Sequence, residues 1–374
     1  MRTKSIALAC TACVTMTLAA TPMVAADKYP PLVTLPAVPV PADNPMSPDI
    51  VELGKKLFWD GRLSGNGDFG CVVCHQPELG WGTGGPISLG YPGTQHWRNS
   101  QTILNSAYYN KLFWEGNVTS LEAQAPAAAG GGVAGNGDGS MMEMKIRFVP
   151  EYVQSFKKVF GTEWPHIAQA WQAIAAFQRT IVTDAKKVPF DRYLVGDKAA
   201  LSDSAQRGMK LYSGKAGCIS CHNGALASDE RYYATGVPAA KEFKEDPIHQ
   251  ITLRWELYQK GVPEEVYRSG ADDLGLYHKT KRPEDKGKFR TPSLRELKWT
   301  APYMHNGALA SLADVVAFYD KGGGAGNKVL KPLELTDVEK ADLVAFLEAL
   351  SMDEPLVMQE PKLPETKTWA EFPK

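Results

Sequence analysis

Apolar side chains recur at the spacing of an α-helix in three segments of this 374-residue chain. Ile50–Phe58, Ile167–Val182 and Leu335–Ser351 each place apolar residues three and four positions apart, as one buried face of a helix requires. Strict alternation of apolar and polar residues, which would indicate strands, is scarce. The pattern therefore predicts a mainly α-helical protein.

Residue types that begin helices stand where two of these segments start. Ser47 followed by Pro48 suits an N-cap and a first helical position. Thr336 and Glu339 have the spacing of a capping box. In contrast, Gly130–Gly139 holds six glycines and predicts a flexible loop.

A weak internal repeat divides the chain into two halves. The segment Gly54–Phe58 leads into Cys71–His75, and the similar segment Gly208–Tyr212 leads into Cys218–His222. A long predicted helix follows each unit. We therefore predict two mostly helical domains of common ancestry that meet near Val195–Ala200.

The proposed boundaries follow from this repeat and from the flanking composition. Residues 27–45 are a proline-rich leader, 46–196 the N-terminal domain, 197–355 the C-terminal domain and 356–374 a tail. Residues 1–26 are interpreted as a secretory signal peptide cleaved after Ala26, because basic residues precede an apolar run that ends in small residues. The chain is therefore expected to be exported without a membrane span.

Composition and charge narrow the class of function. Hydrophobic residues make up 44% and charged residues 22% of the chain, which is typical of a globular protein. The formal charge of −1 offers no electrostatic basis for binding nucleic acid or an anionic membrane.

Four cysteines remain after the signal peptide, and all four belong to Cys-x-x-Cys-His motifs. This motif is the attachment signature of c-type haem, in which both thiols bind the porphyrin and the histidine binds iron. A thioredoxin-like redox pair does not need the histidine, and a zinc site would need more soft ligands per metal. We predict two covalent haems, attached through Cys71, Cys74, Cys218 and Cys221 and ligated by His75 and His222.

Further iron ligands cannot be chosen by spacing alone. His166 at a helix start and His249 in a polar segment are predicted to lie on the surface. His96, His278 and His305 remain open as ligands. Methionine is an alternative haem ligand, although the following four also suit packing: Met141, Met142, Met144 and Met304.

The order of motifs resembles that of the bacterial di-haem cytochrome c peroxidases and MauG. The motifs are CVVCH, RNSQTILN, LFWEGN, LEAQA, MEMKI, FQRTIV, CISCH, FRTPSLREL and TAPYMHNG, and they extend from about Ile50 to Leu350. The resemblance implies two cytochrome c-like, mainly helical domains in the periplasm, with haems flanking their interface. It also implies that the N-terminal haem reacts with hydrogen peroxide and the C-terminal haem transfers electrons.

The resemblance assigns roles to three residues near the haems. Trp114 in LFWEGN matches the tryptophan between the haems. Gln124 in LEAQA and Glu143 in MEMKI match polar residues above the reactive haem, where a carboxylate can move the proton that O–O cleavage requires.

The resemblance also implies a calcium ion between the domains. Asn99, Thr300 and Pro302 match the positions whose oxygens hold that ion. Oxygen ligands that include carbonyls suit this hard cation.

The sixth ligand of the second haem places the chain nearer to MauG. Cytochrome c peroxidases of the family have methionine fourteen residues after the histidine of the PYxHxG motif, where MauG has tyrosine. Counting from His305, this position is Tyr319, which could otherwise be a packing residue beside Val315 and Val316. An anionic oxygen ligand favours ferric and higher oxidation states.

Three departures from the family pattern restrict the expected substrate. Tyr91 stands where the peroxidases have a removable histidine. An open, five-coordinate first haem is therefore expected. Tyr91 or His96 as a sixth ligand is the alternative. Ala216 replaces a surface tryptophan of MauG, and Pro126 is shifted beside a glycine-rich insertion. Methylamine dehydrogenase maturation is therefore not supported.

These features favour a MauG-like oxidoreductase. Hydrogen peroxide would form a high-valent di-haem state, which would oxidise an outside donor, expected to be aromatic residues of a partner protein. One alternative is a peroxidase that takes electrons from a small cytochrome or cupredoxin. Another is a pure electron carrier with two six-coordinate haems.

Overall fold

The computed structural model describes residues 28–270 and 272–366. The predicted signal peptide, residues 1–26, lies outside the described residues. The described part is mainly helical, as predicted. Its helices are α1 Pro48–Trp59, α2 Leu121–Ala129, α3 Gly139–Arg147, α4 Pro150–Phe160, α5 Ile167–Gln178, α6 Pro189–Leu194, α7 Asp203–Ser213, α8 Lys241–Glu245, α9 Pro247–Gln259, α10 Glu264–Ser269, α11 Tyr277–Thr280, α12 Leu312–Asp320 and α13 Asp337–Glu348.

Two short strands, β1 Tyr232–Tyr233 and β2 Phe289–Arg290, form one antiparallel pair within these ranges. Tyr232 is the register partner of Arg290. Each Cys-x-x-Cys-His motif begins in a short 3-10 turn, over Cys71–Val73 and Cys218–Ser220.

The first core forms where α1 crosses α5. Gly54 lies at the crossing, because a Cβ atom there would stand 1.8 Å from the carbonyl oxygen of Ala173. Phe58 and Phe177 pack beside it with ring centroids 5.4 Å apart. The glycine therefore allows the closest approach of the two helices.

The second core repeats this arrangement with α7 and α13. A Cβ atom on Gly208 would stand 1.9 Å from the carbonyl oxygen of Asp342. Tyr212 and Phe346 pack beside the crossing with centroids 5.2 Å apart. The repeated Gly-x-Lys-Leu-aromatic segment thus builds the same helix pair twice.

The predicted starts of α1 and α13 are confirmed. Ser47 caps α1 by accepting a hydrogen bond from the Ile50 amide, and Pro48 is the first helical residue. Both hydrogen bonds of the predicted capping box are present between Thr336 and Glu339. Of the predicted loop, residues 130–138 connect α2 to α3 and Gly139 begins α3; Val133 in this loop is buried.

The second core includes residues that precede the predicted junction. Val188 and Phe190 both pack in it. The Phe190 amide donates to the carbonyl oxygen of Ala349 at 3.0 Å, which ties α6 to the end of α13.

The leader and the tail also contact the two domains. In the leader, the carbonyl oxygens of Val33 and Pro36 accept hydrogen bonds from Arg295 and Tyr108, at 2.7 and 2.9 Å. In the tail, the carbonyl oxygen of Leu356 accepts from the Trp81 indole at 2.7 Å.

The prediction that His249 lies on the surface in a polar segment is wrong. His249 belongs to α9 and is 7% exposed, with Nδ1 at 2.5 Å from the carbonyl oxygen of His96. Helices α8 and α9 pack over Trp97 and Val133 of the N-terminal domain, which buries one face of a mostly polar segment. His166 is exposed before α5, as predicted.

Within residues 28–270 and 272–366, we find no helix with the length and apolar character needed to span a membrane.

Candidate haem and electron-transfer site

The imidazole of His75 is oriented by a backbone carbonyl. Its Nδ1 lies 3.1 Å from the carbonyl oxygen of Trp81. A carbonyl only accepts, so Nδ1 donates its proton and Nε2 keeps the lone pair that an iron ligand needs. Burial lowers the pKa of His75 to about 4, so the ring is neutral near pH 7.

His222 is oriented in the same way in the second motif. Its Nδ1 lies 3.1 Å from the carbonyl oxygen of Ala227, and burial lowers its pKa. Both accepting residues, Trp81 and Ala227, have positive φ angles, of 60° and 50°. In addition, the hydroxyl of Tyr212 donates to the carbonyl oxygen of His222.

The four cysteines are half-buried. No disulfide links them in the described part of the chain. Burial raises the pKa of Cys71 and Cys218 to about 12 and that of Cys74 to about 11. A redox Cys-x-x-Cys pair needs a lowered thiol pKa, so the environment fits thioether attachment better. No cluster of three or more His, Cys, Asp or Glu residues that could hold a metal occurs among the described residues.

Tyr319 faces the second motif from α12. Burial and then the negative charge of Cys218 and Cys221 raise the pKa of its phenol above its ordinary value. The side chain is half-buried, whereas Val316 on the same helix packs in the second core. Ligation of iron by Tyr319 remains a prediction that this position suits.

Trp114 lies between residues of the two predicted domains. Its indole N–H donates to the carbonyl oxygen of Asn99 at 3.0 Å, and its ring stands nearly perpendicular to that of His305, with centroids 6.3 Å apart. His305 in turn stacks on Phe289 at 3.7 Å. Aromatic rings of both domains therefore surround the predicted link between the haems.

The predicted calcium ligands offer oxygens without hydrogen-bond donors. The Asn99 amide N–H donates to the carbonyl oxygen of His305 at 2.8 Å, which places it beside the segment that carries Thr300 and Pro302. The Asn99 side-chain nitrogen donates to the carbonyls of Gly85 and Pro86. Among the described residues, no donor reaches Asn99 Oδ1 or the carbonyl oxygens of Thr300 and Pro302. These free oxygens suit a hard cation.

No hydrogen bond joins Gln124 to Glu143 among the described residues. Glu143 Oε2 accepts from the Ile167 amide at 2.8 Å, and Oε1 pairs with Arg147 at 2.5 Å. Its carboxylate thus caps the start of α5. Gln124 is half-buried on α2, and its side chain has no hydrogen-bond partner among the described residues.

The two alternative sixth ligands point in different directions. Tyr91 packs edge-on to Phe69, just before the first motif, with centroids 6.5 Å apart. His96 stacks on Trp97, and its Nδ1 accepts from the Arg98 amide at 3.0 Å. Burial and the charge of Arg98 lower the pKa of His96 to about 3. His96 therefore belongs to the surroundings of Arg98.

The sequence reasoning missed a buried ion cluster next to Trp114. Arg98 binds Glu115 through Nη1 and Asp273 through both Nε and Nη2. Although burial acts to raise it, Arg98 lowers the pKa of Asp273 below its ordinary range. Arg98 and Glu115 stand in the quoted motifs, but Asp273 is 175 positions from Arg98, so no local pattern reveals the cluster.

Comparison with known proteins identifies the family of the chain. A family model described as di-haem cytochrome c peroxidase matches residues 48–199. The chain is 66% identical over 340 residues to cytochrome-c peroxidase IdrP1 of Denitromonas iodatirespirans, covering 90% of both chains. It is 35% identical over 335 residues to the methylamine utilization protein MauG of Methylorubrum extorquens, covering 88% of this chain and 85% of MauG.

A solved structure has the same fold. A MauG-like protein associated with microbial copper homeostasis is 31% identical and superposes with a TM-score of 0.69, over 87% of this chain and 94% of the other. The two Cys-x-x-Cys-His motifs account for the two c-type haems that the family implies. The chain belongs to the di-haem cytochrome c peroxidase and MauG family and is a peroxidase-type oxidoreductase.

Proposed function

We propose that this chain reduces hydrogen peroxide in the periplasm with electrons from a small redox protein, a cytochrome or a cupredoxin. The carrying observation is a pair of Cys-x-x-Cys-His sites, each with its imidazole oriented by a carbonyl, with Trp114 between residues of the two predicted domains. Relatives named cytochrome-c peroxidase favour this donor over aromatic residues of a partner protein. Each peroxide takes up two electrons and two protons and becomes two waters.

The residues of the first site bind and orient the reactants. Bound haem supplies an iron that exchanges electrons and, where a position is open, binds peroxide. The Nε2 atom of His75, left free by the bond of Nδ1 to Trp81, would hold that iron. Gln124, whose amide is free to donate, would orient the peroxide, and the Glu143 carboxylate would move a proton between its two oxygens.

The residues of the second site are proposed to hold the haem that accepts electrons from the donor protein. His222 and Tyr319 would hold the second haem iron, and Trp114 would link the two sites. The oxygens of Asn99, Thr300 and Pro302 bind a calcium ion that joins the domains. These oxygens are uncharged, so we expect removal by a chelator to be reversible and to slow turnover without releasing haem.

Tyr319 favours oxidation of aromatic residues on a partner protein as a second candidate. An anionic ligand stabilises high oxidation states, which such chemistry requires. Against it, Ala216 is 8% exposed and packs in the second core, so no aromatic side chain reaches the surface at that position.

Steady-state kinetics of the holoprotein test the proposal. We expect peroxide-dependent oxidation of a reduced small cytochrome or cupredoxin, with two donor molecules oxidised per peroxide. Mass spectrometry of the donor before and after turnover should reveal no covalent change. Absence of donor oxidation, together with a new covalent modification on a partner protein, would favour the second candidate instead.

A further inference from the structure

The loop that carries Trp114 belongs to the N-terminal domain but is bound by the C-terminal domain. Four consecutive carbonyl oxygens of this loop, from Phe113 to Gly116, accept hydrogen bonds from it. The donors, in loop order, are Arg290 Nε at 3.3 Å, the Arg290 backbone amide at 2.9 Å, the Tyr232 hydroxyl at 3.2 Å and Lys279 Nζ at 2.9 Å.

Two of these donors come from the same small sheet. Tyr232 and Arg290 are register partners in the antiparallel pair of β1 and β2. The pair therefore presents the Tyr232 hydroxyl to the carbonyl of Glu115 and the Arg290 guanidinium to that of Phe113. We name Tyr232, Lys279 and Arg290 the loop clamp.

Gly116 fits the clamp for two reasons. Its φ angle of +63° favours glycine, and a Cβ atom there would stand 2.0 Å from the Tyr232 hydroxyl. Any larger residue at this position would displace the tyrosine from the loop.

The start of the loop is held as well. The carboxylate of Glu230, just before β1, accepts from the backbone amides of Asn110 and Lys111, each at 3.0 Å. The Lys111 side chain returns a hydrogen bond to the carbonyl oxygen of Glu230 at 3.0 Å. The C-terminal domain thus binds both ends of the segment that contains Trp114.

The indole itself is fixed from the other domain. Its N–H donates to Asn99, whose backbone belongs to the N-terminal domain, at 3.0 Å. The ring position therefore depends on one domain at the indole edge and on the other at the backbone.

We infer that Tyr232, Lys279 and Arg290 are positioning residues that set the indole of Trp114 between the two haem sites. The inference rests on the proposed role of Trp114 in electron transfer. The clamp limits the range of loop conformations, and electron transfer through the indole depends on its distance and orientation to both sites. The clamp residues need not touch either haem to affect the rate.

The test measures electron transfer between the two sites of the holoprotein by rapid mixing with peroxide. Tyr232→Phe, which removes a single hydroxyl, should slow this transfer by about three- to tenfold, the loss expected for one hydrogen bond. Gly116→Ala should slow it at least as much. Haem content and the KM for peroxide should not change. The matched control is Tyr108→Phe, because its hydroxyl also donates to a carbonyl, that of Pro36 in the leader.

Trp114→Phe separates this inference from the function on which it rests. If Trp114→Phe slows transfer, Tyr232→Phe should add nothing in the double variant, because the clamp acts through the indole. Unchanged transfer in both Tyr232→Phe and Gly116→Ala, beside a slow Trp114→Phe, would overturn the clamp alone. A full additional loss in the double variant would also overturn it. Unchanged transfer in Trp114→Phe would overturn the proposed role of the indole and the clamp with it.

Discussion

The two haem-attachment sites share a helix pair and a histidine environment, and they differ in the other side chains nearby. In each, a glycine allows two helices to cross closely, Gly54 in the first half and Gly208 in the second. In each, a carbonyl 3.1 Å from Nδ1 orients the imidazole, that of Trp81 or Ala227. The two halves therefore share a repeated helix pair and a repeated histidine environment.

The differences lie in the side chains that face each site. Near the second motif stand Tyr212, which donates to the carbonyl of His222, and Tyr319. The first half has Phe58 in place of Tyr212, with its ring centroid 6.5 Å from that of His75. The comparison teaches that the repeated units build the same attachment framework, whereas side chains that differ between the halves, such as Tyr212 and Tyr319, set the two sites apart.

Removal of each proximal histidine should separate the two sites most strongly. His75→Ala should lower peroxide reduction by about a hundredfold or more, because the proposed peroxide site loses its iron ligand. His222→Ala should abolish donor-dependent turnover but preserve the first spectral change with peroxide. His166→Ala, at an exposed position before α5, is the control. Loss of the peroxide reaction in the His222 variant alone would reverse the assignment of the two sites.

Substitution of the crossing glycines should destabilise both halves. The Cβ atom of Gly54→Ala or Gly208→Ala would meet a backbone carbonyl oxygen within 2 Å, which costs about 3 kcal/mol of the free energy of unfolding. Gly139→Ala is the control, since a Cβ atom there meets nothing within 4 Å. Urea denaturation measures the effect. Equal losses would support equivalent helix pairs, and a loss in one half alone would contradict them.

Tyr319→Phe should change the second site and leave the first unaffected. Loss of an anionic ligand should raise the reduction potential of the second haem by about 0.1 V, well within the range that axial ligands cover. Tyr91→Phe is the matched variant for the first half, and no shift in potential is expected there. Potentiometric titration followed by absorbance measures both. An unchanged potential in Tyr319→Phe would exclude this residue as a ligand.

The sequence was most informative where chemistry or helix geometry is local. Ser47 and Thr336 mark helix starts because capping involves residues only three positions apart. The two haem motifs are equally local. The family resemblance added Trp114, which the structure places beside Asn99 at the domain contact.

Long-range contacts could not be predicted in this way. Asp273 reaches Arg98 across the domain interface, and His249 is buried only because α9 packs over Trp97. Glu143 illustrates the opposite case, because its motif indicates a role with peroxide while its described contacts are with Ile167 and Arg147. A local pattern does not specify which distant residue a side chain will meet.

Acidification should weaken both halves through two buried histidines. Burial lowers the pKa of His96, from the first half, to about 3 and that of His278, from the second half, to about 4. The unfolded chain therefore takes up these protons first as the pH falls below about 6.5. Each histidine should lower the free energy of unfolding by about 1.4 kcal/mol per pH unit between that value and its folded pKa. No such loss is expected above pH 7.

Urea denaturation at a series of pH values measures this slope. His278→Gln and His96→Gln should each reduce this slope by the contribution of one proton, about 1.4 kcal/mol per pH unit. If one variant keeps the wild-type slope, that histidine does not contribute to it.

The smallest expected effect comes from making the second site resemble the first. Tyr212→Phe supplies the residue type that Phe58 has in the first half and removes the donor to the carbonyl of His222. Burial raises the pKa of Tyr212 well above its ordinary value, so its hydroxyl stays protonated and donates at neutral pH. Loss of this buried hydrogen bond should lower the free energy of unfolding by about 1 kcal/mol.

The spectrum of the second haem distinguishes two explanations for the hydroxyl. If it only stabilises the fold, Tyr212→Phe lowers the urea midpoint and leaves the second haem spectrum unchanged. If it also fixes the backbone of His222, the spectrum and potential of the second haem shift while those of the first do not. Tyr108→Phe, which loses an exposed hydrogen bond to the leader, should lower stability by less than about 0.5 kcal/mol. If Tyr212→Phe is as stable as the wild type, the hydroxyl does not stabilise the fold. Tyrosine and phenylalanine would then be structurally equivalent at this position of the two halves.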